Sequence, residues 1–212
     1  MNTNPKAKRV LCYGDSLTYG HDPETNTRLD INKRWTGVLQ SLLGNNYEII
    51  EEGLGGRTTN LEDPNSPHKN GLIYFPSFLM SHFPLDIIII LLGTNNLKGR
   101  FSQNPSQIAE SLLEYVKHIN DLSVSEETSI PKLIIAAPPL VIEKFVPQDW
   151  DFQGGEIKSK QLATEYLKIT QKVKAEFINL SDIYPSQKDG VHLNEKGNKM
   201  LAEKIYKHIC KY

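Results

Sequence analysis

One serine of the sequence follows a short apolar run and could act as a nucleophile. Ser16 lies in the segment YGDSLT (residues 13–18), where Gly14 permits a tight bend that a Cβ would obstruct. A serine after a strand is also common in turns and helix caps, so both interpretations stay open. The segment is not the G-x-S-x-G elbow, because Thr18 stands in place of the second glycine. Nucleophilic catalysis on an ester also needs a base, a group that orients it, and donors for an oxyanion.

An acid and an imidazole stand three residues apart late in the sequence. Asp189 and His192 could lie on the same side of a turn, so one segment could supply the base and its orienting group. The alternative is a turn aspartate beside a surface histidine. Zinc needs at least three protein ligands, and the other histidines show no companion spacing. These histidines are His21, His68, His82, His118 and His208. We therefore expect no metal.

Two segments could stabilise a negative charge. Asn95 follows the most apolar run, and its side-chain amide could donate a hydrogen bond. Gly53, Gly55 and Gly56 form a glycine-rich turn that could expose backbone N–H groups to an anion. Both segments could also be ordinary turns. The glycines fail the dinucleotide fingerprint at Thr58, which argues against a nucleotide binder.

Alternating apolar runs and stretches of helical periodicity predict repeated β-α units, and hence a parallel sheet covered by helices. The strands are expected at Arg9–Tyr13, Tyr47–Glu51, Asp86–Leu92, Lys132–Ala137 and Phe177–Leu180. The third run is continuously apolar, which predicts a central strand buried on both faces. Ligands bind at the carboxyl ends of the strands in such sheets. All the candidate residues follow such ends, which favours one shared site over unrelated turns.

Helices are predicted between the strands from their caps and apolar stripes. They are expected from Trp35 to Leu43, from an Asn104 cap to about Asn120, from Glu156 to Glu176, and after an Asn194 cap. The apolar stripes of the last two are Ile157, Leu162, Tyr166, Ile169 and Val173, and Met200, Leu201, Ile205 and Ile209. Two connections, 18–34 and 138–155, are long enough to be functional or mobile, with surface decoration as the alternative.

The composition argues against a nucleic-acid-binding protein and against a membrane-spanning one. Lys plus Arg total 24 against 25 for Asp plus Glu, so there is no electrostatic case for a nucleic-acid partner. The apolar stretch after the polar first residues is too short for a signal peptide or a membrane span. The two cysteines lack CxxC spacing. We expect a cytoplasmic, thiol-reduced protein with one domain over residues 1–212.

Taken together, the four segments resemble the blocks of the SGNH (GDSL) hydrolase superfamily. The matching stretches are 14–17, 56–59, 93–95 and 189–192. The resemblance implies a flavodoxin-like three-layer α/β/α sandwich with a five-stranded parallel sheet in the order 2-1-3-4-5. It also implies hydrolysis without a metal or an organic cofactor. In this scheme Ser16 is the nucleophile, His192 and Asp189 complete the triad, and Ser16, Gly56 and Asn95 form the oxyanion hole.

Residues 51–59 and 93–98 look most similar to the arylesterase and acyltransferase group, which implies a small acyl ester as substrate and acyl transfer as an added activity. Tyr19 falls where relatives carry another aromatic residue and could line the acyl pocket, unless it is buried against a helix. Asn96 stands where many relatives have Asp, which puts the support of that loop in question. The enzyme alternatives are a carbohydrate acetylesterase and a lysophospholipase-like hydrolase.

The long second loop carries Trp150 and Phe152, which we assign to substrate binding. In a carbohydrate-binding module without activity they would be stacking residues, but that class leaves the Ser, Asp and His spacing unexplained. Exposed aromatic side chains also leave open a homo-oligomer.

Overall fold

Five parallel strands form the central sheet in the computed structural model, which describes residues 2–211. They are β1 (Lys8–Gly14), β4 (Tyr47–Gly53), β5 (Ile87–Leu91), β6 (Lys132–Ala137) and β7 (Glu176–Asn179). A separate antiparallel hairpin consists of β2 (His21–Asp22) and β3 (Thr27–Arg28). The sheet order is β4-β1-β5-β6-β7. When these five strands are counted by themselves along the chain, this is the expected order 2-1-3-4-5.

Helices cover both faces of this sheet. They are α1 (Ser16–Tyr19), α2 (Trp35–Leu43), α3 (Gly71–His82), α4 (Pro105–Glu110), α5 (Leu112–Ser125), α6 (Gly155–Val173) and α7 (Glu195–Ile209). Short 3-10 turns occupy Gly44–Asn46, Asn95–Leu97, Gly99–Phe101, Glu143–Phe145 and Gln148–Trp150. Within residues 2–211, no helix is long and apolar enough to cross a bilayer.

Alternate residues of the strands divide the apolar core between the two faces. Leu11 and Tyr13 of β1 face the helices α3 to α6, whereas Val10 and Cys12 face α2 and α7. All five residues of β5 are buried, as expected for a central strand covered on both sides. This three-layer arrangement is the predicted fold class, and it brings the carboxyl ends of the strands to one edge.

Several element predictions need correction. Helix α3 was not predicted because Pro76 interrupts its pattern, and the helix expected from Asn104 divides at Ser111 and continues to Ser125. The Asn104 capping box itself is present. The side chains of Ile157 and Met200 are 66% and 44% exposed rather than buried. Ile157 lies about half a turn from the buried stripe of α6, and Met200 lies just beyond the edge of the stripe of α7.

Candidate active site

Ser16 is the first residue of a one-turn helix that begins directly after β1. Asp15 caps this helix, because its Oδ1 accepts a hydrogen bond from the backbone N–H of Leu17 at 2.9 Å. A Cβ on Gly14 would lie 2.8 Å from the carbonyl oxygen of Leu91 and 2.1 Å from Oγ1 of Thr18. Glycine is therefore required where the turn approaches β5.

The Ser16 hydroxyl, the His192 imidazole and the Asp189 carboxylate form one chain of hydrogen bonds. The Ser16 Oγ lies 2.8 Å from Nε2 of His192, and Nδ1 of His192 lies 2.7 Å from Oδ2 of Asp189. All three side chains are buried. Burial raises the pKa of Asp189, but the hydrogen bond and the charge of His192 outweigh it and hold that pKa below its usual value. The carboxylate therefore stays ionised and can orient the imidazole and stabilise its charged form.

Hydrogen bonds and close packing fix the turn at residues 189–192. Oδ1 of Asp189 accepts hydrogen bonds from the backbone N–H groups of Val191 and His192, each at 2.9 Å. Gly190 has a φ of +68°, and a Cβ there would lie 2.3 Å from the carbonyl oxygen of Ile142. The backbone N–H of Ile142 donates to the Gly190 carbonyl at 2.8 Å. The loop after β6 therefore fixes the position of this turn.

Donors for an oxyanion lie next to Ser16. The Asn95 side chain follows β5, and its Nδ2 donates to the Arg57 carbonyl at 3.1 Å and lies 3.5 Å from Oδ2 of Asp15. Gly56 has a φ of +81° in the turn after β4 and lines the same cavity as Ser16 and Asn95. Neither the Ser16 nor the Gly56 backbone N–H has a protein acceptor within the described part of the chain. Both N–H groups are thus available to a ligand.

Asp15, the residue before Ser16, is an unusual ionisable group because it is completely buried. Burial raises its pKa to about 6, against the lowering effects of the Leu17 N–H and of nearby cationic groups. Its two oxygens face the Leu17 N–H and the Asn95 amide. Asp15 therefore connects the turn that carries Ser16 with the side chain of Asn95.

Asn96 supports the neighbouring loop through its amide. Its Oδ1 accepts a hydrogen bond from the Thr59 N–H at 2.8 Å, and its Nδ2 donates to the Thr59 hydroxyl at 2.9 Å and to Oε1 of Gln103 at 2.7 Å. These bonds answer the question raised by asparagine at this position. The loop is anchored by a neutral amide. Its NH₂ group donates to Gln103, a hydrogen bond that an ionised aspartate could not donate.

A cavity of about 270 Å³ opens in front of the Ser16 hydroxyl. Its lining includes both Trp150 and Phe152, the residues expected to contact substrate. Tyr19 is not part of that lining, and its contact with substrate stays a prediction. The α1 helix ends directly after Tyr19, and the Arg28 guanidinium of the hairpin stacks on its ring at 4.3 Å.

Sequence reasoning missed several residues that line this cavity, namely His21, Lys98, Arg100, Asp149 and Val191. The ring of His21 lies 4.2 Å from that of His192, and the ring of Trp150 meets His192 edge-on at 5.6 Å. His21 belongs to the long 18–34 connection, whose length was the signal that could have identified it. Lys98 lies in the 93–98 segment that carried part of the family resemblance.

His21 also joins Asp189 and His192 in a group whose ligand atoms lie within 4.8 Å of one another and could hold a metal ion. Two of these side chains already share the 2.7 Å hydrogen bond of the triad. An ion bound there would compete with that hydrogen bond. Burial, followed by the charge of His192, lowers the pKa of His21.

Two solved structures of esterases are similar to this chain along almost its whole length. The chain is 36% identical to a carbohydrate acetylesterase from Sinorhizobium meliloti, with a TM-score of 0.89 over 96% of this chain and 99% of that one. It is also 36% identical to an aryl esterase from M. smegmatis, with a TM-score of 0.88 over 97% and 99% of the two chains.

A third relative is known by sequence. An acetylxylan esterase from Xylanibacter ruminicola is 27% identical over 94% of this chain, which spans only 42% of that longer protein. Residues 12–200 match the GDSL-like Lipase/Acylhydrolase family, and this match includes Ser16, Gly56, Asn95, Asp189 and His192. The chain therefore belongs to the GDSL-like lipase/acylhydrolase family.

Proposed function

We propose that the protein is a serine esterase that hydrolyses small acyl esters through an acyl-enzyme. The observation that carries this proposal is the hydrogen-bonded chain from Ser16 Oγ through His192 to Asp189, with distances of 2.8 and 2.7 Å. It opens onto a cavity that also holds the oxyanion donors. Relatives that are acetylesterases and aryl esterases support the same activity.

In the proposed reaction, Nε2 of His192 takes the Ser16 proton as Oγ attacks the ester carbonyl. The imidazolium that forms is stabilised by Asp189, and it then gives its proton to the departing alcohol. A water molecule activated by the same imidazole attacks the acyl-enzyme and releases the acid, which regenerates the Ser16 hydroxyl.

The negative charge of the tetrahedral intermediate would be bound by the N–H groups of Ser16 and Gly56 and by the Asn95 amide. The Arg57 carbonyl holds this amide in place by its 3.1 Å hydrogen bond. Donors that are fixed in advance need no reorganisation during the reaction. Loss of one such donor typically costs about 3 to 4 kcal/mol of transition-state stabilisation.

The cavity favours a short acyl group. Its volume of about 270 Å³ is slightly below the usual range for sites that bind drug-sized ligands. The indole of Trp150 and the ring of Phe152 supply apolar wall, so an acetyl or similar group would bury well. Transfer of the acyl group to an alcohol instead of water stays a prediction, and added alcohol should divert product from acid to a new ester.

The deciding experiment compares wild type with Ser16→Ala on 4-nitrophenyl esters of increasing chain length and on acetylated sugars. We expect hydrolysis of the acetate and at least about a 1000-fold loss in Ser16→Ala. Ser81→Ala, at an exposed serine of α3, is the matched control and should be unaffected. Equal rates for wild type and Ser16→Ala would refute the assignment.

The same substrate panel separates the alternatives. Preference for acetylated sugars would indicate a carbohydrate acetylesterase, and preference for long chains a lysophospholipase-like enzyme. A phosphonate probe should label wild type but not Ser16→Ala, whereas a carbohydrate-binding module without activity would not be labelled. One domain over residues 1–212, a cytoplasmic location and a homo-oligomer stay predictions.

A further inference from the structure

Lys98 places a cation on the wall of the cavity that contains Ser16. It follows directly after the 3-10 turn Asn95–Leu97, and its N–H donates to the Asn95 carbonyl at 3.3 Å. The side chain is half-buried, and its Nζ lies over the Phe152 ring, 5.8 Å from the ring centre; both residues line the cavity. The ammonium is thus close to the space that a substrate would occupy.

The ammonium of Lys98 forms no ion pair with a carboxylate in the described part of the chain. Within residues 2–211, no carboxylate lies within the 4.0 Å of an ion pair with it. Asp63 and Asp151 are both bound to Arg100, at 3.3 Å and 3.1 Å. The carboxylate of Asp15 is completely buried and faces the hydrogen bonds described above.

The surroundings of Lys98 oppose its charge. Burial lowers the pKa of Lys98, and repulsion by Arg100 adds to this effect, against the attraction of Asp63, Asp15 and Asp151. Asp149 also lines the cavity, but it is exposed and forms no ion pair with Lys98. An anion that entered the cavity would give Lys98 a direct partner, which no carboxylate of residues 2–211 supplies.

We propose that Lys98 binds a carboxylate carried by the ester substrate. This inference rests on the proposed esterase function and names the class of ester, an anionic one. Hydrogen bonds between an ammonium and a carboxylate are strong where water is partly excluded. The carboxylate could belong to the acyl group or to the leaving alcohol, and both sources present the same chemistry to Lys98.

The test uses two matched pairs of esters. For the leaving group, 4-acetoxybenzoate is compared with its neutral methyl ester. For the acyl group, mono-4-nitrophenyl adipate is compared with 4-nitrophenyl hexanoate. The measured quantity is the ratio of kcat/KM for the anionic ester to kcat/KM for the neutral one, which cancels any general loss of folded enzyme.

We expect Lys98→Met to lower this ratio about 10- to 100-fold in one of the two pairs, the range given by a hydrogen bond to a charged group. Lys98→Arg keeps the charge and should retain most of the ratio. Lys117→Met, at an exposed lysine of α5, is the matched control and should leave the ratio unchanged. The pair that responds identifies which part of the substrate carries the carboxylate.

A ratio that is unchanged in both pairs for Lys98→Met would overturn this inference. An equal loss on anionic and neutral esters counts as such a result, because it leaves the ratio the same. Failure of the proposed function would look different. In that case wild type would hydrolyse none of the four esters and would not react with the phosphonate probe. Hydrolysis of the neutral esters with ratios independent of Lys98 would refute this inference alone.

Discussion

Asp189 makes two kinds of hydrogen bond, and its two oxygens allow them to be separated. Oδ2 accepts from Nδ1 of His192, whereas Oδ1 accepts from the backbone N–H groups of Val191 and His192. Asp189→Asn keeps an oxygen for the two N–H groups and places an NH₂ group against Nδ1. Asp189→Ala removes both acceptors. The pair of variants therefore distinguishes orientation of the imidazole from support of the turn.

We expect Asp189→Asn to lose activity with little loss of stability, and Asp189→Ala to lose stability as well. In Asp189→Asn the amide donates to Nδ1, so the imidazole proton moves to Nε2 and that atom can no longer accept the Ser16 proton. The corresponding change in a serine protease costs about 10⁴ in kcat, and we expect a similar loss here. Asp189→Ala also leaves two buried N–H groups without acceptors, at about 1 to 3 kcal/mol each, or roughly 2 to 6 kcal/mol together.

The measurements are kcat on 4-nitrophenyl acetate and the free energy of unfolding in urea at pH 8. We expect Asp189→Asn to unfold within about 1 kcal/mol of wild type, because the hydrogen bonds to the turn survive. Asp121→Asn, at an exposed carboxylate of α5, controls for the loss of a negative charge. The reasoning fails if Asp189→Asn keeps a tenth of the wild-type kcat, or if Asp189→Ala is as stable as Asp189→Asn.

Four further predictions follow from the same geometry. Burial raises the pKa of Asp15 from 3.8 to about 6, so folding favours its protonated form; this contribution, about 3 kcal/mol, is present below pH 3.8 and is lost as pH rises through 6. Urea unfolding should show Asp15→Asn gaining about 1.4 kcal/mol on wild type from pH 5 to pH 8, and a constant difference would contradict this. Asn95→Ala should lower kcat by about 100- to 1000-fold through loss of an oxyanion donor, whereas an unchanged kcat would remove Asn95 from the mechanism. Asn96→Leu takes the acceptor from the buried Thr59 N–H and should destabilise the protein by about 1 to 3 kcal/mol in urea, and an unchanged free energy of unfolding would contradict this. Gly190→Ala forces a left-handed residue against a backbone oxygen 2.3 Å away, so circular dichroism should show a lower melting temperature, and kcat should fall as His192 moves.

The strands, and the segments that carry Ser16, Asp189 and His192, could be predicted because their signals are local. The apolar run of β5 and the glycine turn after β1 follow from side-chain periodicity and steric limits over a few residues. Asp189 and His192 are close because one turn holds both. Their meeting with Ser16 could be expected because parallel strands present their carboxyl ends at one edge of the sheet.

Trp150 and Phe152 were expected in the cavity, but other lining residues such as His21, Lys98 and Arg100 could not be predicted, because they depend on contacts between distant segments. The hairpin that carries His21 is tied to the other side of the site by the hydrogen bond from Ser186 to Glu24, which spans 162 residues. Contacts of this kind hold the 18–34 connection beside the cavity, where His21 is part of the lining. Helix α3 was missed for another reason, since Pro76 conflicts with helical propensity and packing overrides it.

Ser16 and His192 stand 176 residues apart, so a growing chain carries the hydroxyl long before the imidazole is synthesised. At about 5 to 20 residues per second, this delay is roughly 10 to 35 seconds. During that time the serine is an ordinary alcohol. If the proposed roles hold, chains that lack residues 189–192 should be inactive, and the onset of turnover during refolding should report the moment at which Ser16 and His192 come together.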